Sequence, residues 1–511
     1  MIEASPLKQN VFSVKKNPPD LSGGSGGKVK LRHVLFACML LVMGGMPERS
    51  HAQIQSSIGR EHPLWIGFSG GVTSGSAVPF NVQANRYGTV DSTSSAIGLR
   101  AGGERSFRLG SLWQASIGGE VLTRASQRST AHLHQAYGRL SYRGLRFQAG
   151  RWEEKPTTLA DTSLSMGAML QSQNAPPMPK LRLWMPRYVT VPGMQSYLGV
   201  KASITHGWFT NKRFVEGPWL HQKSLYLRIL PMRFPVQIHA GILQATTWGG
   251  THPTAGNLPQ DLEAFARVLA GRAGGTGSLE TEQKGTLGNT VAGYDGAITF
   301  QTDTIRGRMA RYFHHTDRPS LAFRNPWDGL WTVRLERREP GHAVDAVMWE
   351  HLNATRHNAK FTEGEVRGQD SYYNNSVYRS GWTYRGWTLG TPLLLPNRTG
   401  PGVGNNIVVA HRIGVEGHLA GLRYWSTATY SRYYGALRVC SDANCTARVN
   451  RPTERTDQYS MLLGGERSIG AFLLRAEGAA DLGDLFEPRV GLRIDVIWRV
   501  TLHPSGARQR R

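Results

Sequence analysis

Apolar and polar residues alternate along this chain with a period of two, in one short segment after another. From Arg489 to Val500 the even positions Val490, Leu492, Ile494, Val496, Trp498 and Val500 are apolar. The odd positions include Arg489, Gly491, Arg493, Asp495 and Arg499. Leu198, Val200, Ala202 and Ile204 alternate with Gly199, Lys201, Ser203 and Thr205. Trp331, Val333 and Leu335 alternate with Thr332, Arg334 and Glu336. Successive side chains of a strand point to opposite faces, so each segment has one apolar and one polar face. A helix needs apolar residues every three to four positions, and that template mostly fails. The segments have the length of a tilted strand that crosses a bilayer, about 9–11 residues. Their polar faces carry Arg, Lys and Glu, which suits a wet interior. Trp and Tyr gather at segment ends, as in interfacial girdles. The expected fold class is all-β: a closed antiparallel transmembrane β-barrel.

Eighteen such segments fit between residues 62 and 501, including one over 181–190. An even number suits a closed antiparallel barrel. Counting from a periplasmic start, the long connections 152–180, 208–222, 246–291, 355–406 and 435–455 all fall on the outer side. One stretch breaks the period. Pro259–Gly271 places Leu262, Phe265, Ala266 and Leu269 at helical spacing, with Gly271 where a helix would stop. It predicts a short helix that packs into or over the lumen, so that helix and long loops together occlude it.

The N-terminus reads as an address. Lys28, Lys30 and Arg32 precede an apolar run from Val34 to Met46, followed by Ser50-His51-Ala52. This is the order of a secretory signal, with cleavage expected after Ala52. The run is too short to span a membrane. Residues 1–52 are therefore expected to be an N-terminal extension and signal peptide, and 53–511 the barrel domain. Export makes a disulfide between Cys440 and Cys445 plausible. No metal or cofactor site is expected.

Lys and Arg number 60 against 36 Asp and Glu, a formal charge of +24. A strongly basic exported chain suggests anionic partners such as acidic polysaccharide or lipopolysaccharide phosphates. Arg146, Lys201, Arg228, Arg334, Arg493 and Arg499 fall on polar, lumen-side positions. The plainer reading makes them a salt-bridge ladder with Glu120, Glu336 and Asp495.

Several blocks resemble the Wzi-type capsule assembly family. They are Ser165–Lys180, His206-Gly-Trp208-Phe, Leu220–Arg228, Trp248-Gly-Gly250, Leu287–Asp295, Asp370–Asn375 and Ser380–Tyr384. The resemblance runs from about residue 62 to 501. It implies an eighteen-stranded outer-membrane lectin that attaches capsular or exopolysaccharide to the cell surface, without catalysis. One departure is the tail Thr501–Arg511, where barrels often finish on an aromatic residue; Trp498 could serve instead.

Sugar recognition needs flat aromatic faces and a few convergent polar groups. Trp208, Trp248, Tyr294, Tyr372, Tyr373 and Trp382 offer stacking faces. Asn174, Lys180, His206, His221, Asp295, Asp370, Asn374 and Asn375 offer hydrogen bonds. The plainer reading is interfacial anchoring for the aromatics and turn formation for Asn and Asp. Prolines 176, 177 and 179 forbid regular structure, so 165–180 and 370–375 are expected to meet as stiff loops on one mouth or lumen surface.

The alternative function is a channel for anionic solutes, and a weaker third is a lipid-modifying enzyme. No G-x-S-x-G elbow, H-E-x-x-H or phosphate loop supports catalysis. The expected partners are a polysaccharide and outer-membrane lipid or lipopolysaccharide, not nucleic acid. A closed barrel is complete as a monomer.

Overall fold

The computed structural model describes residues 64–500, apart from 128, 157, 160–162, 195, 232, 285, 317–325, 359–369, 399 and 437–454. The expected signal segment, the candidate disulfide pair Cys440 and Cys445, and the tail beyond residue 500 lie outside the described residues.

One antiparallel sheet closes on itself. Its first strand, Leu64–Ala77, pairs with the last, Arg489–Val500, with Leu64 opposite Val500 and Thr73 opposite Gly491. Every other strand pairs with its sequence neighbours. The sheet has nineteen segments. Pro179–Trp184 and Val189–Thr190 both pair with Leu198–Trp208 and form one crossing interrupted by a bulge. Eighteen crossings result, as the alternation predicts. Closure leaves no free strand edge, which a bilayer requires because unpaired backbone groups find no water there.

The two faces separate cleanly. Phe68, Ile117, Leu225, Ile242, Ile298 and Ile413 stand exposed on the outside. Glu120, Arg228, Arg334, Glu350, Arg412 and Glu477 are buried on the inside. Tight turns join strands at one end, as between Leu419 and Leu422 or Ile469 and Phe472. Long connections leave from the other end, which barrel topology assigns to the cell exterior.

Among the described residues, three long connections fold inward. The first, 78–92, contains helix α1, Phe80–Gln83. The Phe80 N–H donates to Asp481 Oδ2 at 2.8 Å, and Asn81 Nδ2 to the Ser460 carbonyl at 3.0 Å. The other two are 152–178 and 370–407, whose Met166, Met169, Leu170, Tyr372, Tyr373, Trp382, Leu393 and Leu394 form the main apolar core.

The stretch around 260 is helical, as expected, but its packing corrects the sequence reading. Helix α2 spans Leu262–Ala270. Asp261 Oδ1 caps it by accepting from the Ala264 N–H at 2.7 Å, and Gly271 ends it at φ 64°, where a β-carbon would be strained. The buried side chains are Ala264 and Val268, while Leu262 and Leu269 are exposed. Nor does α2 enter the lumen. It packs on Trp219 and Trp248, which stand on the outward side of the wall.

Candidate functional site: the plugged lumen and its outer cap

The plug is seated by buried polar anchors. Glu350, fully buried, accepts from Ser165 Oγ at 2.8 Å, the Met166 N–H at 2.7 Å and Thr332 Oγ1 at 3.1 Å. Arg412 donates from its Nη atoms to the Ser165 carbonyl at 2.9 Å and to Asn81 Oδ1 at 2.5 Å, and from Nε to Thr429 Oγ1 at 2.8 Å. One guanidinium thus ties segments 78–92 and 152–178 to the wall. The sequence signal for Glu350 was available. Met348, Glu350 and Leu352 alternate inward on strand Ala346–Ala354, and Glu350 is the acid among them.

The two plug segments hold each other as tightly. Trp382 Nε1 donates to the Leu170 carbonyl at 2.7 Å, and the Tyr373 hydroxyl donates to the Met169 carbonyl. Ser172 Oγ donates to the Gly390 carbonyl at 2.6 Å, and Thr391 Oγ1 to the Met166 carbonyl at 3.0 Å. A β-carbon at Gly390 would lie 1.8 Å from the Tyr373 hydroxyl oxygen, so only glycine lets the segments approach this closely. The expected meeting of 165–180 with 370–375 is observed. It takes place in a dry core.

The sequence-derived candidates divide into two groups, neither presented to solvent at an open mouth. In the first, polar groups are spent inside. Asn174 Nδ2 donates to the Thr388 carbonyl and to Thr388 Oγ1, both at 3.1 Å. Lys180 pairs with Glu154 and lies 4.6 Å from the centre of the Trp152 ring. Asp295 accepts from the Leu159 N–H at 2.7 Å and the Tyr226 hydroxyl at 2.9 Å. The Tyr372 hydroxyl donates to Asp328 at 2.9 Å, and Asp370 accepts from Asn358. Asn374 brackets Val403, accepting its N–H at 2.7 Å and donating to its carbonyl at 2.9 Å. Asn375 accepts from the Val377 and Tyr378 N–H groups at 2.9 Å.

The second group is corrected by register. His206, Trp208, His221, Trp248 and Tyr294 share a face with Leu225, Ile242 and Ile298 through cross-strand pairing, so they point outward, away from the lumen. The period-two pattern placed them on a face. They were expected to offer stacking faces and hydrogen bonds to a sugar, and the register turns them to the outside of the wall.

Beneath the plug, on the periplasmic half, lies a cavity of about 220 Å³ lined by Arg100, Arg423, Arg475, Arg493, Glu416 and Asp495 among others. Its charges form a ladder. Arg334 and Arg423 share Glu416, Arg423 and Arg475 share Glu466, and Arg493 pairs with Asp495. Arg334, Arg493, Glu336 and Asp495, expected as ladder members, all take part. Glu120, His134 and Glu153 also converge. Arg100 bridges both of those carboxylates, at 2.5 and 2.8 Å, which accounts for the cluster as an ion-pair knot.

On the outer side, a hairpin of the plug reaches the surface. Thr383–Tyr384 pairs with Trp387–Thr388, and Arg385 and Gly386 make the turn at φ 50° and 85°. Arg385 is exposed, and it lies within electrostatic reach of His132 together with Arg124 and Arg151. Arg379 stacks over Phe214 at 4.5 Å, and Arg385 lies 5.6 Å from the Tyr384 ring centre. Arg213 anchors the hairpin by donating to the Thr383 and Gly381 carbonyls at 2.5 and 2.9 Å. Arginine paired with aromatic faces is a combination suited to carbohydrate and to anionic groups.

An eighteen-stranded transmembrane barrel with a hydrogen-bonded plug and a basic outer cap is an occluded outer-membrane barrel. The chain belongs to the Wzi family of capsule assembly proteins, whose family profile matches residues 81–393, more than half of its length. It is similar in fold to Wzi of Escherichia coli, described as an outer-membrane, carbohydrate-binding β-barrel involved in group 1 capsule assembly. The TM-score is 0.53 at 14% identity, over 86% of this chain and 85% of that one. OccK5 (OpdH) of Pseudomonas aeruginosa aligns at a TM-score of 0.44 and 8% identity, over 85% of this chain and 96% of that one. No match was found among curated protein sequences.

Proposed function

We propose that this protein holds capsular or exopolysaccharide at the outer surface of the cell, as a binding platform without catalysis. The observation that carries this reading is the seated plug. It replaces a pore with a fixed outer surface from which the Arg385 hairpin projects. A rigid surface loses little entropy when it engages a polymer. Arg379 and Arg385, with the aromatic rings beside them, are the proposed contacts. The buried candidates Asn174, Tyr372 and Tyr373, with the half-buried Asn374 and Asn375, act one step behind, by holding the cap in shape. The basic surface favours an acidic polymer.

The test is a deletion strain complemented with the parent gene or with Arg379→Ala/Arg385→Ala. Cell-bound and released polysaccharide are measured together with barrel insertion. The expected result is normal insertion with polymer shifted to the medium. Equal retention by the two complemented strains would count against the cap as the contact surface, and equal retention by the deletion strain against the function itself.

A further inference from the structure

We infer that helix α2 is a lipid-facing patch on the outside of the barrel, its second apolar face seated against the acyl chains of the outer leaflet. The wall beneath it carries polar rows. Opposite one another on the outward face stand His206 and His221, then His221 and Thr246, then Lys223 and Gln244. Directly below, in the same rows, come Leu225 and Ile242, then Leu227 and Ala240, then Ile229 and Ile238. A strand tilted by roughly 40° rises about 2.5 Å per residue, and the apolar band of such barrels is about 25 Å tall. Measured up from Ile229, His221 and Lys223 then fall at about 20 and 15 Å, inside the band. Bare histidine, lysine and glutamine would there face hydrocarbon, at considerable cost.

Helix α2 covers this polar stripe. Phe265 lies 5.5 Å from the His221 ring and 5.9 Å from the His206 ring. The Lys223 ammonium donates to the carbonyl of Leu269 at the helix end, where a cation is favoured. Gly271 rests beside Gln244. His221 is left 2% exposed.

The helix is apolar on two sides. Ala264, Phe265 and Val268 meet the wall. Leu262 and Leu269, seven residues apart and hence on one side, are 81% and 40% exposed. Leu225 and Ile242 in the belt below are 44% and 45% exposed, so this second face continues the belt across the stripe. Glu263 and Arg267 pair on the helix flank at 2.7 Å, as on helices that lie in an interface. The occupant is lipid because the face is continuous with a belt whose neighbour is lipid.

Site-directed spin labelling in phospholipid vesicles tests the placement. Leu262→Cys, Leu269→Cys and Glu263→Cys are labelled singly in a Cys440→Ser/Cys445→Ser background. Ile238→Cys serves as the belt control and Asp303→Cys, at a periplasmic turn, as the aqueous control. Heat-modifiable electrophoresis verifies the barrel in each case. Labels at 262 and 269 should favour oxygen over a nickel chelate as the belt control does, and the label at 263 should be several-fold more accessible to nickel. Nickel access at 262 equal to that at Asp303 would overturn the proposal, because the helix would then stand in water. Shielding of 262 and 269 from both reagents would also overturn it, because a protein partner would then cover the face.

Discussion

The two halves of the lumen are built on opposite principles. The outer half is dry. Tyr372, Tyr373, Trp382, Met166 and Met169 are each at most 1% exposed, and the tyrosine hydroxyls and the Trp382 indole N–H all find partners within the protein. The periplasmic half is wet and charged, and there Glu336, Glu416 and Glu466 are each shared by two arginines. The first arrangement is specific and brittle, since removing one partner leaves a buried group unpaired. The second is redundant at its centre, since the loss of one arginine leaves Glu416 or Glu466 another. The plug therefore sets the shape of the outer surface, while the ladder stiffens the wall and tolerates change.

The largest effect should follow from unseating the plug. Glu350→Ala removes the acceptor of three donors and leaves Arg412 without its facing carboxylate. Breaking a buried charge arrangement of this kind costs about 3–5 kcal/mol. The parent protein should be nearly silent in planar bilayers, and this variant should show frequent conducting events. A conducting parent would instead revive the channel reading and remove the contrast between the two halves.

A pH effect should come next, in the outer loop and not in the lumen. Glu282 is buried beside helix α2's own loop, and burial pushes its carboxyl up to about 7 against the pull of the Gly288 N–H. Its neutral form is therefore the one the folded loop prefers. The stability it permits is complete below the unfolded value of about 4.5 and is lost as pH rises through about 7, by about 3 kcal/mol in all. Proteolysis of loop 249–288 should become faster across that window, and Glu282→Gln should flatten the profile. An unchanged profile in the variant would assign the pH response elsewhere.

Within the plug, Tyr373→Phe should cost about 1–3 kcal/mol, the usual penalty of an unpaired buried group. Its hydroxyl donates to the Met169 carbonyl and accepts the Thr391 N–H at 3.1 Å, so both groups lose a partner. Thermal unfolding and polymer retention should fall together if the dry half shapes the cap. Lower stability with full retention would separate them.

What the sequence made legible follows from where periodicity exists. Strands such as Leu198–Trp208 and Arg489–Val500 announce themselves because one face meets lipid and the other water. Plug segments meet protein on all sides, so Met166, Tyr373 and Trp382 carry no period, and only their prolines and glycines mark them as irregular. Their residue types were noticed correctly, but Asn174 and Tyr373 look the same in a sequence whether they bind a sugar or a neighbouring carbonyl. His206, His221 and Trp248 misled for another reason. Polar residues on an outward face normally mean water, and here a covering helix changes that meaning. Leu262 and Leu269 were read as a buried face because a helical moment gives a direction but not what lies there.

The smallest effect should come from the ladder, and it is the sharpest test of the contrast. Arg423 pairs with Glu416 and Glu466, both at 2.8 Å. Arg423→Gln removes both ion pairs, yet Arg334 still holds Glu416 at 2.5 Å and Arg475 holds Glu466 at 2.7 Å. The cavity beside Arg423 admits solvent, which screens what remains. The glutamine amide can also donate one of the lost hydrogen bonds. The expected loss is about 1 kcal/mol or less, below that of Tyr373→Phe although a full charge is removed. Conductance should stay at the parent's level, because no plug anchor passes through Arg423. A loss of 3 kcal/mol or more would show that the ladder is cooperative, each ion pair depending on the next, and the periplasmic half would then be as brittle as the plug above it.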